Sequence, residues 1–431
     1  MKKLLSFLVL APLIGLGQGV HFESGLSWQQ ILAKAKAENK YIFVDCYASW
    51  CGPCKKMDQD VYPKDSVGSV VNPRFVCVKV QLDTSKIDDE AVKAWYADAH
   101  ALMAAYKISA FPTFLFFSPA GELVHRGLGY QQPKDFAQLA MEAVDPHKQY
   151  YGLVTGYRSG DRDYAVMPSL ANHAKAYNDK ALADSIAADY LHGYLDKLSN
   201  TGICTKPNLD FIAGFAKVLT SKDQVFKCIW EHPELADTAM HDKDFAKRVM
   251  NYMITKEEIT PLTTLAKKEG KEPDWEMIGR NIQHKYGVAW VEENVVNAKI
   301  GWYRAEKDWK NYTKCLVRRM DLIGLQNIPN DFWGRFSLNN SAWDIFLYSD
   351  NKEDLEKAMA WSEWVIQRDP TGAHMDTKAN LLYKLGKKEE ALALEAKAVQ
   401  ATPKSQSANF KSISANFEKM EHDEPTWAVA H

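Results

Sequence analysis

The protein is a chain of 431 residues with a formal net charge of −2, and 46% of its residues are hydrophobic while 25% are charged. This length suggests two or three domains, and the composition is that of an ordinary globular protein rather than a disordered or fibrous one. Because the chain has no basic excess and no long run of lysine or arginine, we expect no nucleic-acid partner.

The N-terminus has the pattern of a secretory signal peptide. Two lysines precede a short apolar run at 4–16, and small residues at Gly15 and Gly17 suit cleavage. The run is shorter than the roughly 20 apolar residues of a membrane span, and no cysteine follows it for a lipid anchor. We therefore predict that residues 1–18 are cleaved and that the mature protein is exported without stable membrane insertion. A buried N-terminal strand or an uncleaved anchor is the alternative.

Two apolar stretches rich in β-branched and aromatic residues are predicted to be buried strands. They are YIFVDCYA at 41–48 and FVCVKVQL at 75–82. After the first strand, KKMDQDVY is predicted to form the first turns of a helix. Residues 88–106 carry apolar side chains three and four residues apart, which is the spacing of one helix face.

The following stretch is predicted to form a β-hairpin and a closing helix. Strands at 113–117 and 123–126 flank a turn at 119–121, and the helix at 133–144 begins with proline. The order helix, strand, helix, strand, helix, hairpin, helix is typical of an α/β domain whose central mixed sheet is flanked by helices. We predict such a domain over residues 19–145.

The sequence changes character after this domain, because strand-like stretches disappear and amphipathic segments follow one another. Segments 355–370 and 389–403 align with each other at a spacing of 33 residues, close to the 34-residue period of tetratricopeptide repeats. We predict that residues 146–431 form an all-α helical domain with tetratricopeptide-like repeats at about 341–403. A generic helical bundle is the alternative.

The motif with the clearest chemistry is WCGPC at 50–54. Structural zinc requires four ligands, but the chain has no second C-x-x-C and no histidine within 22–99. Covalent haem requires histidine directly after the second cysteine, where Lys55 stands. A purely structural disulfide would close too short a loop to add much stability. The spacing therefore favours a redox-active Cys51–Cys54 pair, with no metal and no other cofactor.

The local sequence also predicts the roles of the two cysteines. Cys51 would stand just before a helix, where free N–H groups and the positive end of the helix dipole favour a thiolate. Cys54 would lie in the first turn, and Pro53 suits the first helical position. We therefore expect Cys51 to be the nucleophile and Cys54 the resolving thiol.

The stretch VDCYASWCGPCKKMD, together with AFPTF, closely resembles thioredoxin. The resemblance covers about residues 25–145, one third of the chain, and implies a thioredoxin fold. It further implies that Asp45 is the buried carboxylate beneath the redox pair, that Lys79 is its partner on the neighbouring strand, and that Pro112 is a cis-proline facing the cysteines. The predicted substrate-binding residues are Trp50, Gly52, Pro53, Phe111 and Pro112.

The roles of several of these residues can also be predicted from the residues themselves, without the resemblance. A charged residue inside a buried strand is costly unless it is paired or functional, and a raised pKa would suit Asp45 to take the proton of Cys54 through water. A simple ion pair between strands is the alternative. Trp50 is expected to pack over the site and exclude water, and Gly127 or Gly129 to let a substrate chain approach.

The chain has seven cysteines, so at least one thiol is free. Cys46 and Cys77 are predicted to lie on opposite faces of the sheet and to be buried free thiols. Cys204 and Cys228 could form a disulfide, although nothing in the sequence requires it.

The chain resembles exported thioredoxin-like proteins of Gram-negative bacteria that carry a helical extension, which implies a periplasmic location. We expect a thiol-disulfide oxidoreductase that reduces protein disulfides, with a membrane dithiol carrier as electron donor and the helical domain recruiting substrates or partners. The Gly-Pro pair favours reduction, as in thioredoxin, whose potential is about −270 mV. Two alternatives remain open: a disulfide oxidase or isomerase, and an interaction scaffold or holdase.

Overall fold

The computed structural model describes residues 19–427. The predicted signal peptide lies outside this range and stays a prediction. The chain divides into two compact units, with the division between His241 and Asp242. The first unit also contains helices that follow the α/β part, so the predicted domain limit after residue 145 is likewise still a prediction.

The first part of the chain is an α/β domain with helices on both faces of a mixed sheet, as predicted. Its elements are α1 (Trp28–Glu38), β1 (Tyr41–Tyr47), α2 (Gly52–Lys56), α3 (Asp65–Val71), β2 (Phe75–Gln81), α4 (Glu90–Ala94), α5 (Tyr96–Ala105), β3 (Thr113–Phe117), β4 (Leu123–Leu128) and α6 (Pro133–Ala143). A π-helical turn at Met57–Val61 continues α2.

One predicted helix is divided in the structure. The sequence predicts a continuous helix over 88–106, but α4 and α5 are separated at Trp95. The backbone there has φ −88° and ψ −9°, and the N–H of Trp95 donates to the carbonyl of Val92, three residues back. The tighter turn interrupts the regular pattern of bonds four residues apart.

The sheet has the strand order β2-β1-β3-β4. β1 pairs with β2 in parallel and with β3 antiparallel, and β3 and β4 form the predicted hairpin. In this register Asp45 of β1 stands opposite Lys79 of β2 and Phe114 of β3. The register therefore places the two charged residues side by side on adjacent strands.

Alternating side chains of the strands bury two separate cores, because successive residues point to opposite faces. Ile42, Val44 and Leu115 pack on one face with residues of α1 and α5. On the other face, Phe43 stacks on Phe116 with ring centroids 5.2 Å apart, in a core shared with α3 and α6. The second core lies on the Asp45 side of the sheet.

The rest of the described chain is helical, as predicted, and no strand occurs between residues 146 and 427. The α-helices of the first unit are α7 (Tyr150–Arg158), α8 (Met167–Ala176), α9 (Lys180–Gly193), α10 (Asn200–Ile203), α11 (Lys206–Gly214), α12 (Gln224–Glu231) and α13 (Pro233–Met240). Over the described range, no helix has the length and apolar character needed to cross a bilayer.

The second unit contains ten α-helices within its described residues. They are α14 (Phe245–Ile254), α15 (Thr260–Glu269), α16 (Trp275–Tyr286), α17 (Val291–Glu306), α18 (Trp309–Ile323), α19 (Phe332–Tyr348), α20 (Lys352–Ile366), α21 (Gly372–Lys384), α22 (Lys388–Ala401) and α23 (Ser407–Glu421).

The predicted repeat positions occupy equivalent places in these helices. Ala358 in α20 and Ala391 in α22 are both fully buried, and Pro370 and Pro403 follow the ends of the same two helices. The assignment to tetratricopeptide repeats itself stays a prediction.

The interior of the second unit holds a carboxyl pair. Glu395 of α22 is fully buried, and neither of its carboxyl oxygens has a hydrogen-bond partner in the described structure. Asp376 of α21 accepts hydrogen bonds from the amides of Asn380 and Asn416, at 3.0 and 2.9 Å. Burial and the neighbouring Asp376 carboxylate raise the pKa of Glu395 far above its usual value, so its carboxyl group is protonated at neutral pH.

We expect Glu395→Gln to stabilise the second unit at pH 8 by several kcal/mol, because above pH about 4.5 the folded wild-type protein must hold a proton on Glu395 that the unfolded chain has released. Glutamine does not titrate, so it removes this dependence on pH, and its side-chain amide can donate a hydrogen bond to Asp376. Below pH about 4.5, the usual pKa of glutamate, the two proteins should be equally stable. Urea unfolding at both pH values would test this. Glu390→Gln, at an exposed position on the same helix, should change neither curve, and a Glu395→Gln variant less stable at pH 8 would contradict the expectation.

Candidate active site

Cys51 and Cys54 are joined by a disulfide bond, with an S–S distance of 2.12 Å and Cα atoms 5.3 Å apart. Cys51 is the N-cap residue of α2, and its Sγ accepts a hydrogen bond from the N–H of Cys54 at 3.1 Å. Pro53 occupies the second helical position rather than the predicted first. An N–H group aimed at the sulfur of Cys51 favours the charged form of that thiol over the neutral one.

The sulfur pair lies at the edge of a small apolar cluster. Both cysteines and Ala48 are buried, and the partly buried side chains of Tyr47 and Phe111 pack against them. Cys51 is 3% and Cys54 is 2% exposed. Exposure in the oxidised form therefore does not distinguish the two thiols, and the hydrogen bond accepted by Cys51 is the difference between them. The role of Cys51 as nucleophile stays a prediction.

Phe111, which packs against the two cysteines, is followed by a cis-proline, and the two predicted glycines lie at or just beyond the end of β4. The Phe111–Pro112 peptide bond is cis, and the carbonyl of Pro112 accepts a hydrogen bond from the N–H of Gly129 at 2.8 Å. Gly129 has φ +76°, and no atom lies within 4 Å of where a Cβ would stand. At Gly127 a Cβ would lie 2.4 Å from a methyl group of Leu139. Of the two predicted glycines, only Gly129 leaves space for an approaching chain.

The expected role of Trp50 as a shield against water is wrong. Its side chain is 70% exposed, and it meets Phe111 edge to face with ring centroids 5.8 Å apart. The reason is that Trp50 lies in the turn beyond the end of β1, where no helix covers it. Gly52 and Pro53 are exposed as well. Together these residues form an apolar rim around the disulfide, and their predicted contact with substrate stays a prediction.

Asp45 is a buried acid beside a lysine. It is 1% exposed, and its carboxylate lies 3.5 Å from the ammonium nitrogen of Lys79. Burial raises the pKa of Asp45 to about 6, while the Lys79 ammonium opposes the shift. Neither oxygen of Asp45 has a hydrogen-bond partner among the described residues. A carboxyl group with such a pKa changes its protonation state near neutral pH and can accept or return a proton there.

Sequence reasoning missed a second acid at this site. Asp58, in the π-helical turn after α2, forms an ion pair with Lys79. The ammonium of Lys79 also lies 5.0 Å from the ring centre of Tyr47 and 5.5 Å from that of Tyr62. Lys79 therefore keeps one carboxylate partner even when Asp45 is neutral. The position of Asp58 four residues after Cys54 places it on the same side of a helix, which could have indicated its proximity.

Cys46 and Cys77 are buried free thiols on opposite faces of the sheet, each in a different core. Burial raises the pKa of both thiols far above the usual range. Such thiols are unreactive at neutral pH, which leaves Cys51 and Cys54 as the candidate reactive cysteines of this domain.

Comparison with known proteins agrees with this geometry. The family described as a thioredoxin-like domain matches residues 28–143. A thioredoxin-like protein of Synechocystis sp. is 33% identical over 99 residues, which are 23% of this chain and 77% of that protein. The chain belongs to the thioredoxin-like family.

Two further relatives match the same thioredoxin-like part. The thiol:disulfide interchange protein DsbD of Pseudoalteromonas atlantica is 31% identical over 115 residues, 26% of this chain and 18% of DsbD. Thioredoxin-2 of Pyricularia oryzae is 33% identical over 100 residues, 23% of this chain and 47% of that protein. The chain thus spans less than half the length of these two relatives, and each alignment covers about a quarter of the chain.

Proposed function

We propose that this chain is an exported thiol-disulfide oxidoreductase that reduces protein disulfides with its Cys51–Cys54 dithiol. The observation that carries the proposal is the position of Cys51 as N-cap of α2, with the N–H of Cys54 directed at its sulfur. That arrangement stabilises a thiolate, which is the species that attacks a disulfide.

Reduction would proceed in two exchanges. The Cys51 thiolate attacks one sulfur of the substrate disulfide, forming a mixed disulfide and releasing the other substrate sulfur, which takes up a proton. Cys54 then loses its proton through water to Asp45 and attacks the sulfur of Cys51. This releases the second substrate thiol and leaves the Cys51–Cys54 disulfide. Two electrons pass from the dithiol to the substrate, and the structure shows the resulting oxidised state.

The reducing direction requires a supply of electrons outside the cytoplasm. We propose a membrane dithiol carrier as the donor, and a periplasmic location for the protein. The similarity of the thioredoxin-like part to DsbD, a thiol:disulfide interchange protein, supports a place in such an exchange chain. The helical extension would recruit substrates or partners.

The proposed direction is tested by the potential of the Cys51–Cys54 couple. We expect a value near the −270 mV of thioredoxin, and a value above about −180 mV would favour an oxidase or isomerase instead. The couple is equilibrated with dithiothreitol mixtures, free thiols are alkylated, and peptides containing the two cysteines are quantified by mass. The Cys51→Ser/Cys54→Ser variant, equilibrated in the same mixtures, reports any signal from the other five cysteines.

The substrate class is tested by trapping. Cys54→Ser removes the resolving thiol, so the mixed disulfide with Cys51 should accumulate and carry captured proteins that dithiothreitol releases. The matched control is Cys51→Ser/Cys54→Ser, which should capture none. Equal capture by both variants would contradict a substrate bond at Cys51.

A further inference from the structure

A second pair of cysteines lies side by side in the helical part of the first unit. Cys204 is the C-cap residue of α10, and Cys228 lies on α12. Their sulfur atoms are 3.5 Å apart, with both thiols free. A disulfide bond requires about 2.05 Å between the sulfurs, so the two sulfurs would move closer by roughly 1.5 Å to form it.

One backbone carbonyl positions both residues. The carbonyl of Asn200 accepts a hydrogen bond from the N–H of Cys204 at 3.0 Å and from the thiol of Cys228 at 3.7 Å. The two cysteines are therefore held by the same carbonyl at the start of α10. The hydrogen bonds keep the two sulfurs close without any covalent bond between them.

A nearby contact supports the same arrangement. The N–H of Val225, in the first turn of α12, donates to the carboxylate of Asp196 at 3.0 Å. This bond and the thiol contact anchor α12 at both its start and its middle. The short helix α10 has only four residues, too few to be stable by itself, so it depends on such links to its neighbours.

We propose that Cys204 and Cys228 form a second, structural disulfide that fastens α10 to α12. The oxidant is another disulfide, either a small molecule such as oxidised glutathione or a protein disulfide. The Cys204 thiolate attacks it to form a mixed disulfide, and Cys228 then displaces the second sulfur. Two electrons pass to the oxidant, which leaves as two thiols carrying the two protons. This proposal does not depend on the redox activity of Cys51 and Cys54.

Burial affects the reactivity of this second pair of thiols. Cys204 is 8% exposed and Cys228 is fully buried, and burial raises the pKa of Cys204 to about 12 and that of Cys228 as well. In the folded protein both thiols are therefore almost entirely protonated and react slowly. The Cys204–Cys228 disulfide is therefore expected to form during folding, before α12 packs against α10. Once formed, it is shielded from reductants.

The first test counts thiols. The protein is refolded from the reduced state with oxidised glutathione, and free thiols are measured in denaturant. We expect three free thiols, those of Cys46, Cys77 and Cys315, and a peptide map in which Cys204 is linked to Cys228. In the Cys51→Ser/Cys54→Ser background, the same linked peptide should remain as the one disulfide. Five free thiols in the wild-type protein, or either cysteine linked elsewhere, would overturn the proposal.

The second test measures stability. In the oxidised protein we expect Cys204→Ser to lower the unfolding midpoint by roughly 5–10 °C, because a cross-link of this loop length restricts the unfolded chain. Cys315→Ser, at a free cysteine that packs against the edge of a core in the second unit, is the control and should lower the midpoint by a smaller amount that is the same with and without reductant. If the Cys204→Ser protein does not fold, wild type refolded with and without reductant provides the same comparison. An equal midpoint in both preparations would refute a structural bond.

Discussion

Replacement of Cys51 by serine is expected to reduce the rate of insulin-disulfide reduction to that of buffer with reductant alone. The serine hydroxyl occupies the same N-cap position and can accept the same N–H bond, so the helix should start where it does in the wild-type protein. What is lost is the thiol that receives the N–H of Cys54 at the start of α2. The measurement is the turbidity of reduced insulin chains over time, with dithiothreitol as the electron source.

The control for this experiment is Cys315→Ser, which removes a free thiol far along the chain and should keep the wild-type rate. Far-ultraviolet circular dichroism of both variants verifies that the fold is intact. Wild-type activity in Cys51→Ser would refute the proposed function, because no other described cysteine occupies the N-cap of a helix.

Asp45→Asn is expected to slow disulfide reduction about 100-fold, the lower end of the range for loss of a general base. Asparagine has nearly the same shape but cannot take the proton of Cys54. The wild-type rate of mixed-disulfide resolution should rise as pH passes through about 6, the raised pKa of Asp45. The rate of the Asp45→Asn variant should not show this increase near pH 6. Stopped-flow measurement of product release between pH 5 and 8 tests both statements.

The same substitution should make the protein more stable at pH 8, by about 3 kcal/mol, since each unit of pKa shift corresponds to about 1.4 kcal/mol and the pKa of Asp45 is raised by about two units. The sign follows from proton binding. Between pH about 4 and 6 the folded state holds a proton on Asp45 that the unfolded state has lost, so the wild-type protein loses stability as pH rises through this range. Asparagine does not titrate, and at pH 4 the two proteins should be equally stable.

Asp58→Asn is the matched control for Asp45→Asn. It also removes one carboxylate from Lys79, but from the exposed side, where its loss should change the rate less than twofold. A variant at Asp58 as slow as the one at Asp45 would mean that the charge around Lys79, rather than a proton acceptor in the sheet, controls the reaction.

Much of the α/β part could be predicted from the sequence, because each helix or strand is indicated by the residues of one short stretch. The strand at 113–117 was predicted with the bounds that the structure shows, since it is a continuous apolar run beside a turn. The pairing of Asp45 with Lys79 followed from the resemblance to thioredoxin. The division at Trp95 was not predictable, because the apolar spacing on both sides of it is that of one continuous helix.

Other features depended on how distant parts of the chain come together. The exposure of Trp50 reflects the absence of a covering element, which residue type alone does not reveal. The approach of Cys204 and Cys228 depends on the packing of α10 and α12. The burial of Glu395 was not predictable, because α22 carries glutamates on its exposed side as well and residue type does not distinguish them. In each case the local sequence is compatible with more than one environment.

The exposed apolar rim formed by Trp50, Gly52 and Pro53 has a consequence for the kind of client protein that the site would bind. It offers exposed apolar surface, and no atom lies within 4 Å of where a Cβ of Gly129 would stand. A surface of that kind holds extended segments whose apolar residues are not yet packed, and it has little to bind on a finished, compact protein. Selection at such a surface would depend on the folding state of a client rather than on its sequence.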